Sequence, residues 1–495
     1  MKTERTYPSA GERQRPAMLP WLALLFVGCA ALGAWFLIGP ALGDTPYYRV
    51  GHNRTTFWYS RPILLLFVPY GLALFAWQRG ARAPLWALVG GAVILHLLVL
   101  LAPPPQSQDV YQYLFYGRMQ AVHGANPYVV NPSELWADPW FPWIRWNNQP
   151  SVYGPVWILV STAVVKVAGS SLPLAYALQK LVVLALDGAV VVMILSLARH
   201  RPDPAAAGGW GLLVYAWNPL ILITVPLAGS ADVAVGAAFL GALLARRHGR
   251  NGLATTLLAL AGLVKLYAAI GLVLHLVLLA RKRGAGLAFK HASASAAIVA
   301  FAYAPFWAGW ETFRGLIRAA SLTSQSLVGT IERVVVTPVL RAFGYGGAPR
   351  DGEILVRLIA GALLLAVLAW AVRKVRDEQT LWEATLGVLV AYVLLTPWFL
   401  YWYLVGPLLL VAVLPRNRLT YPILTFSATS LITAWLLPPW LGWSMLALLR
   451  YGPPLLVYAL QARTGHEAQA DRVEVRIPAL PLPEGAALTR QAAAK

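Results

Sequence analysis

The chain has 495 residues, of which 58% are hydrophobic and only 12% are charged, about half the charged fraction of an average soluble domain. Apolar runs of membrane-spanning length recur along the whole sequence and predict a polytopic helical membrane protein. The formal net charge of +20 lies mainly in short loops between these runs. Basic loops set the orientation of spans, so this charge does not indicate nucleic-acid binding. The single cysteine, Cys29, excludes an internal disulfide and a thiolate metal site.

In chain order, a polar and basic cytoplasmic tail, 1–17, precedes one transmembrane domain, 18–461, and a mobile cytoplasmic tail, 462–495, follows it. The predicted fold class is all-α, with about 14 spans, and no soluble domain is expected. The predicted spans are 18–38, 62–77, 85–102, 174–198, 210–225, 232–246, 253–264, 266–280, 291–307, 355–372, 380–396, 400–414, 419–437 and 445–461.

The apolar run 152–169 decides which side later loops face. If it crossed the bilayer, the basic loops 199–201 and 246–250 would both face the outside. Basic loops favour the cytoplasmic side, so we predict a re-entrant or interfacial helix here, which is tolerated where it lines a cavity. This places loops 103–151 and 308–354 on the extracytoplasmic face.

The first of these loops carries an acid beside a membrane boundary. Asp109 follows the prolines of 103–105 and precedes an aromatic run. One interpretation is a helix N-cap, which an aspartate provides well. The other is a general base, ionised and within hydrogen-bond reach of an acceptor hydroxyl. The two roles are compatible, and we predict that Asp109 is the catalytic base of a membrane-embedded glycosyltransferase.

Lys265 interrupts the apolar stretch 253–280, whose two short halves predict a tight hairpin with the lysine at its outer tip. Such a lysine either snorkels to the interface or serves a function. The functional interpretation is a cation that holds the donor's phosphate, with Tyr267 as a hydroxyl donor beside it. Asp232 opens a span from the same side, either as a helix cap or as a group that orients Lys265 or an acceptor sugar.

Other charged residues are interpreted by their surroundings. Asp187, in the middle of a span, needs a partner, and we expect a buried structural hydrogen bond. Arginines on the predicted outer loops are unexpected, because basic residues favour cytoplasmic loops. Because arginine binds phosphate in a bidentate manner, Arg118 is assigned to the donor phosphate. The sequence contains no nucleotide-binding loop and no His/Cys metal cluster, so the donor is expected to be lipid-linked, and neither a cofactor nor a metal is assigned.

Four motifs in this order resemble the GT-C superfamily of integral membrane glycosyltransferases. Within it, the similarity is greatest to the bacterial family-87 and polyprenol-phosphomannose-dependent α-mannosyltransferases. The motifs are Ser107-Gln108-Asp109-Val110-Tyr111 with Gly124-Ala125-Asn126-Pro127-Tyr128, Tyr153-Gly154-Pro155, Asn218-Pro219 with Gly229-Ser230-Ala231-Asp232, and Leu263-Val264-Lys265-Leu266-Tyr267. The resemblance implies a polyprenyl-phosphate sugar donor and inversion at the anomeric carbon in one displacement. Many relatives carry two acids in the first loop, whereas Gln108 and Tyr111 flank a lone Asp109 here, so a divalent metal is not supported.

The predicted function is therefore transfer of a hexose to a lipid or glycan acceptor of the bacterial cell envelope, at the extracytoplasmic face of the plasma membrane. Mannose is implied by the resemblance alone. Asp109 deprotonates the acceptor, and Lys265 stabilises the leaving polyprenyl phosphate. The sugar and acceptor site is assigned to Tyr111, Tyr153, Asp232 and Asn126. The alternative function is a transporter or lipid flippase, in which buried cations grip the substrate, although no internal repeat supports it.

Overall fold

The computed structural model describes residues 19–38, 54–100, 109–324, 326–435 and 441–463. Every regular element in these ranges is a helix, so the all-α fold class is confirmed. The tail 1–17, most of the tail 462–495, and the first part of the 103–151 loop, including Ser107 and Gln108, lie outside the described residues.

The described residues form twenty α-helices. In chain order these are α1 (Leu19–Ile38), α2 (Arg54–Gln78), α3 (Leu85–Leu100), α4 (Asp109–Ala121), α5 (Pro155–Ala168), α6 (Leu172–Ala198), α7 (Pro204–Val214), α8 (Pro219–Leu222), α9 (Asp232–Arg247), α10 (Asn251–Val264), α11 (Ala269–Arg283), α12 (Ala285–Tyr303), α13 (Arg314–Ala320), α14 (Leu327–Ile331), α15 (Thr337–Ala342), α16 (Ala348–Lys374), α17 (Glu378–Leu395), α18 (Val405–Val413), α19 (Thr420–Trp435) and α20 (Gly442–Arg463).

Local sequence explains where many of these helices begin and end. Proline occupies the first turn of α5 and α7, where its fixed φ suits a helix and its missing N–H is not needed. Asp203 caps α7, because its carboxylate accepts a hydrogen bond from the N–H of Ala206 at 2.9 Å. Gly284, with φ of 93°, separates α11 from α12.

Three described helices are long and apolar enough to cross a bilayer: Leu172–Ala198, Ala285–Phe306 and Pro349–Lys374. A fourth span results if Pro204–Val214 and Pro219–Leu227, which meet at 55°, are counted as one broken span. Five shorter apolar helices accompany them. The count of about 14 spans therefore stays a prediction.

Helix ends gather at two ends of the molecule, which we call the basic end and the site end. The basic end holds the loops 199–203, 248–250 and 414–419; there Arg201 donates to the carbonyl of Val413 at 2.6 Å. The site end holds Asp232, from which α9 runs about 24 Å to the basic end. Charge-rich loops and site residues thus lie at opposite ends of the same helices.

Contacts at both ends of α5 fix its position. The N–H of Gly154, just before it, donates to the carbonyl of Val264 at 2.9 Å. Just after it, the carbonyl of Ser170 accepts from the indole of Trp140, in the loop that follows α4, at 3.4 Å. The re-entrant or interfacial arrangement of this segment stays a prediction, and α6 begins shortly after α5.

The buried Asp187 makes the structural hydrogen bonds expected of it. The Tyr215 hydroxyl donates to its Oδ1 at 2.7 Å, and His96 Nδ1 pairs with its Oδ2. His96 Nε2 contacts the carbonyl of Ala216 at 2.8 Å. This network ties α3, α6 and the end of α7 together inside the bundle.

Candidate active site

Asp109 begins α4 and is only 9% exposed. The Tyr153 hydroxyl donates to its Oδ2 at 3.2 Å. Burial raises the pKa of the Asp109 carboxyl above its usual range, and the charge of Lys265 and the Tyr153 hydrogen bond offset only part of this effect. A carboxylate with a raised pKa is a stronger base than an exposed one, which suits removal of a proton from a hydroxyl.

Lys265 stands between α10 and α11 in extended backbone, with φ of −144°. Its ammonium donates to Asp232 Oδ2 at 2.6 Å. Tyr267 donates to Oδ1 of the same carboxylate at 2.7 Å, and Ser230 donates to Oδ2 at 2.7 Å. Asp232 is fully buried, so these three donors stabilise its charge.

The interpretation of Asp232 as a helix cap is wrong. It is the first residue of α9, and Ala231 holds the cap position without a side-chain hydrogen bond. The carboxylate turns instead toward Lys265, because a buried anion gains more from a cation and two hydroxyls than from backbone N–H groups. The alternative interpretation, an acid that orients Lys265, matches this geometry.

Tyr153 connects the two charged groups. Its hydroxyl contacts Asp109, and its ring centre lies 5.8 Å from the ammonium of Lys265. The neighbouring Gly154 permits this approach, since a Cβ there would lie 2.0 Å from the carbonyl oxygen of Leu263. Residues far apart in the chain therefore meet at one place.

The C-terminal half contributes two tyrosines that the sequence motifs did not include. The ring centre of Tyr403 lies 5.6 Å from the Lys265 ammonium. Tyr392 stacks on Tyr267 with 5.2 Å between ring centres. For Tyr403, the available signal was the aromatic cluster 398–403 at the start of the predicted span 400–414. Aromatic residues are typical of sites that stack a sugar ring as well as of membrane interfaces.

Tyr111, on α4, belongs to a second aromatic cluster. It stacks on Tyr176 of α6 at 5.3 Å and packs against Trp143 at 5.4 Å. Tyr111 lies two residues after Asp109 in the chain, so this cluster lies close to the Asp109 carboxyl.

The structure does not bring Arg118 or Asn126 to this cluster. Arg118 lies about 13 Å along α4 from Asp109; its Nε donates to both carboxylate oxygens of Asp138, at 2.7 and 2.9 Å, and its guanidinium lies over Trp140. The Asn126 side chain donates to the carbonyl of Phe306 at 2.7 Å. Both residues hold the loop after α4 in place.

Arg145 is a further cation beside the site. It lies on the same loop, is exposed, and stands 5.9 Å from the ring centre of Trp146. Its charge acts on Asp109 and lowers the pKa of that carboxyl. Among the described residues no group of three or more His, Cys, Asp or Glu is arranged to hold a metal ion.

Comparison with known proteins shows two similarities, both to mannopyranosyltransferases. Residues 63–281 match a family described as "MptA_B family, alpha-(1→6)-mannopyranosyltransferase, N-terminal domain". Alpha-(1→6)-mannopyranosyltransferase A of Mycobacterium tuberculosis (strain ATCC 25618 / H37Rv) is 25% identical over 437 residues, which cover 83% of this chain and 82% of the relative. The chain is similar to this mannopyranosyltransferase over most of its length. The resemblance to GT-C glycosyltransferases, which the motifs predicted, is thereby confirmed. The range matched by the family, 63–281, includes Asp109, Tyr153, Asp232 and Lys265, but not Tyr392 or Tyr403.

Proposed function

We propose that this protein is a mannosyltransferase that uses a polyprenyl-phosphate-linked mannose and acts at the extracytoplasmic face of the plasma membrane. The observation that carries the proposal is the contact of Tyr153 with both Asp109 and Lys265. This arrangement brings an acid and a cation to the same tyrosine, and a displacement at an anomeric carbon can use the acid as the base and the cation to stabilise the leaving group. The family match supplies the sugar.

The reaction is a single displacement. The acceptor hydroxyl attacks the anomeric carbon while Asp109 takes its proton. A new carbon–oxygen bond forms, the bond from the anomeric carbon to the phosphate oxygen breaks, and the electron pair leaves with polyprenyl phosphate. Displacement from the opposite face inverts the anomeric configuration, so a β-linked donor gives an α-mannoside.

Lys265 is suited to stabilise the leaving phosphate. One of its N–H groups is committed to Asp232, and an ammonium has three donors. The Asp232 pair holds the ammonium in place before the reaction, which is how preorganised charge lowers a barrier. The tyrosines around it, Tyr153, Tyr267 and Tyr403, give rings against which a mannose can stack.

Transfer by the purified protein tests this proposal. Labelled polyprenyl-phosphate mannose and an α-mannoside acceptor are incubated with the protein in detergent, and the product's linkage is determined. We expect an α-linked product from the lipid-linked donor and none from a nucleotide-linked one. Uptake or flipping of the labelled lipid in sealed vesicles without transfer would support the transporter instead.

Labelling of introduced cysteines tests the predicted face. With Cys29 replaced by serine, we place one cysteine at Asn148 in the loop after α4 and another at His248 at the basic end. Both positions are exposed. A membrane-impermeant thiol reagent applied to intact cells is expected to label only the first. Labelling of only the second would put the site on the cytoplasmic side.

A further inference from the structure

Lys180 is a buried cation that the sequence motifs did not single out. It lies in α6 and is 2% exposed. Its ammonium donates to the carbonyl oxygen of Leu227 at 2.5 Å and lies 5.7 Å from the ring centre of Tyr176. It takes part in none of the ion pairs found in the described part of the chain.

The position of Leu227 explains why a cation beside its carbonyl is favourable. Leu227 is the last residue of the π-helix Ile223–Leu227, with which the broken span that starts at Pro204 ends. The last carbonyls of a helix lack partners and carry partial negative charge. A backbone group without a hydrogen-bond partner costs free energy inside a membrane. Broken helices are found in membranes where they border a functional cavity. The ammonium of Lys180 gives the Leu227 carbonyl both a hydrogen bond and a positive charge.

The segment after Leu227 links this contact to the site. Gly229 adopts φ of 69°, which favours glycine, and a Cβ there would lie 3.4 Å from Lys180 Cδ and 3.5 Å from the Cβ of Val110. The segment is therefore enclosed between the stem of Lys180 and the first turn of α4. It leads directly to Asp232, and Val110 directly follows Asp109.

We infer that Lys180 is a positioning residue for the transfer reaction. By holding the Leu227 carbonyl, it fixes 228–231 against α4, so that Asp232 keeps the Lys265 ammonium beside Asp109. Lys180 acts through Asp232 and does not contact the donor. The inference rests on the proposed function, since it assigns a role within that site.

A double-mutant cycle tests this inference. We compare Lys180→Met, Asp232→Asn and the double variant for kcat and KM with polyprenyl-phosphate mannose. Lys180→Met is expected to lower kcat by about 100-fold, as a misplaced catalytic group does, with little change in donor KM. The double variant is expected to be no slower than Asp232→Asn, because residues that act as one unit are not additive. Lys180→Arg, which keeps a charged donor, should recover part of the rate.

The control is Lys166→Met, which removes an exposed lysine from α5 and should leave kcat unchanged. If Lys180→Met does not fold, Gly229→Ala disturbs the same segment with Lys180 intact, and its loss of kcat should also be non-additive with Asp232→Asn. Additive losses, or a raised donor KM with unchanged kcat, would overturn the inference and indicate direct donor contact. Wild-type protein without any transfer activity would instead refute the proposed function.

Discussion

The basic end and the site end use charge in different ways. At the basic end, arginines contact backbone carbonyls of neighbouring loops: Arg201 meets Val413, and Arg281 meets Val375. At the site end, Asp109 and the Lys265–Asp232 pair converge on tyrosines. The basic end therefore ties helices together and carries the charge from which the orientation of the spans is predicted. The site end instead holds opposite charges close to one another.

The basic end also contains a close ion pair, which makes the comparison testable. Arg246 pairs with Glu378 at 2.6 Å and contacts His275 Nδ1 at 2.7 Å. A guanidinium has only hydrogen-bond donors, so His275 Nδ1 is the acceptor in this contact. The network joins α9, α11 and α17.

The largest expected effect is that of Asp109→Asn. Loss of the base should lower kcat by about 100- to 10,000-fold, while the amide keeps the shape of the side chain and the fold. The measurement is the initial rate of mannose transfer, with thermal unfolding in detergent as a check on folding. Asp351→Asn, at an exposed acid in the first turn of α16, is the matched control. Full activity of Asp109→Asn would remove Asp109 from the mechanism.

Breaking the pair at the site end should affect both stability and rate. Lys265→Met leaves the fully buried Asp232 without its cation and should cost about 3–5 kcal/mol of unfolding free energy. In the double variant Lys265→Met with Asp232→Leu, most of the stability should return, because no charge is left buried. Transfer activity should stay absent. Recovery of activity in that variant would show that the pair is structural only.

Breaking the pair at the basic end should affect stability alone. Glu378→Gln removes the acid that Arg246 contacts, and because Glu378 is partly exposed the loss should be about 1 kcal/mol. The rate of transfer is expected to stay within about twofold of wild type, because substitutions of partly exposed residues far from a site have small effects. A strong loss of kcat would mean that the two ends are coupled.

The smallest expected effect concerns pH. Asp109 accepts a proton only when ionised, so activity falls as the pH drops through its pKa, which burial raises. The charge of Arg145 lowers that pKa, and Arg145→Gln should therefore move the acidic limb of the kcat profile to higher pH. Arg350→Gln, at another exposed arginine, should leave the limb in place. A shift to lower pH would contradict the assignment of Asp109 as base.

Much of the site was predictable because single residues stand out in an apolar sequence. Asp109, Lys265 and Asp232 were recognised by their cost in a membrane and by motif order, and the structure brings all three together. Arg118 was chosen on chemistry alone, and its partner Asp138, 20 residues away, gave no local signal. Asp232 looked like a cap because a cap and a charge partner have the same local sequence.

By itself, the sequence determined the helical class, the segregation of basic loops, and the presence of an acid and a lysine inside membrane-grade stretches. These follow from composition and short-range periodicity, which are local. Only the tertiary structure decided that Tyr153 contacts both charges, that Tyr392 and Tyr403 come from the far half of the chain, and that Lys180 meets the end of a broken helix. Such contacts depend on how helices pack, and helix packing depends on many weak side-chain interactions distributed over the whole bundle.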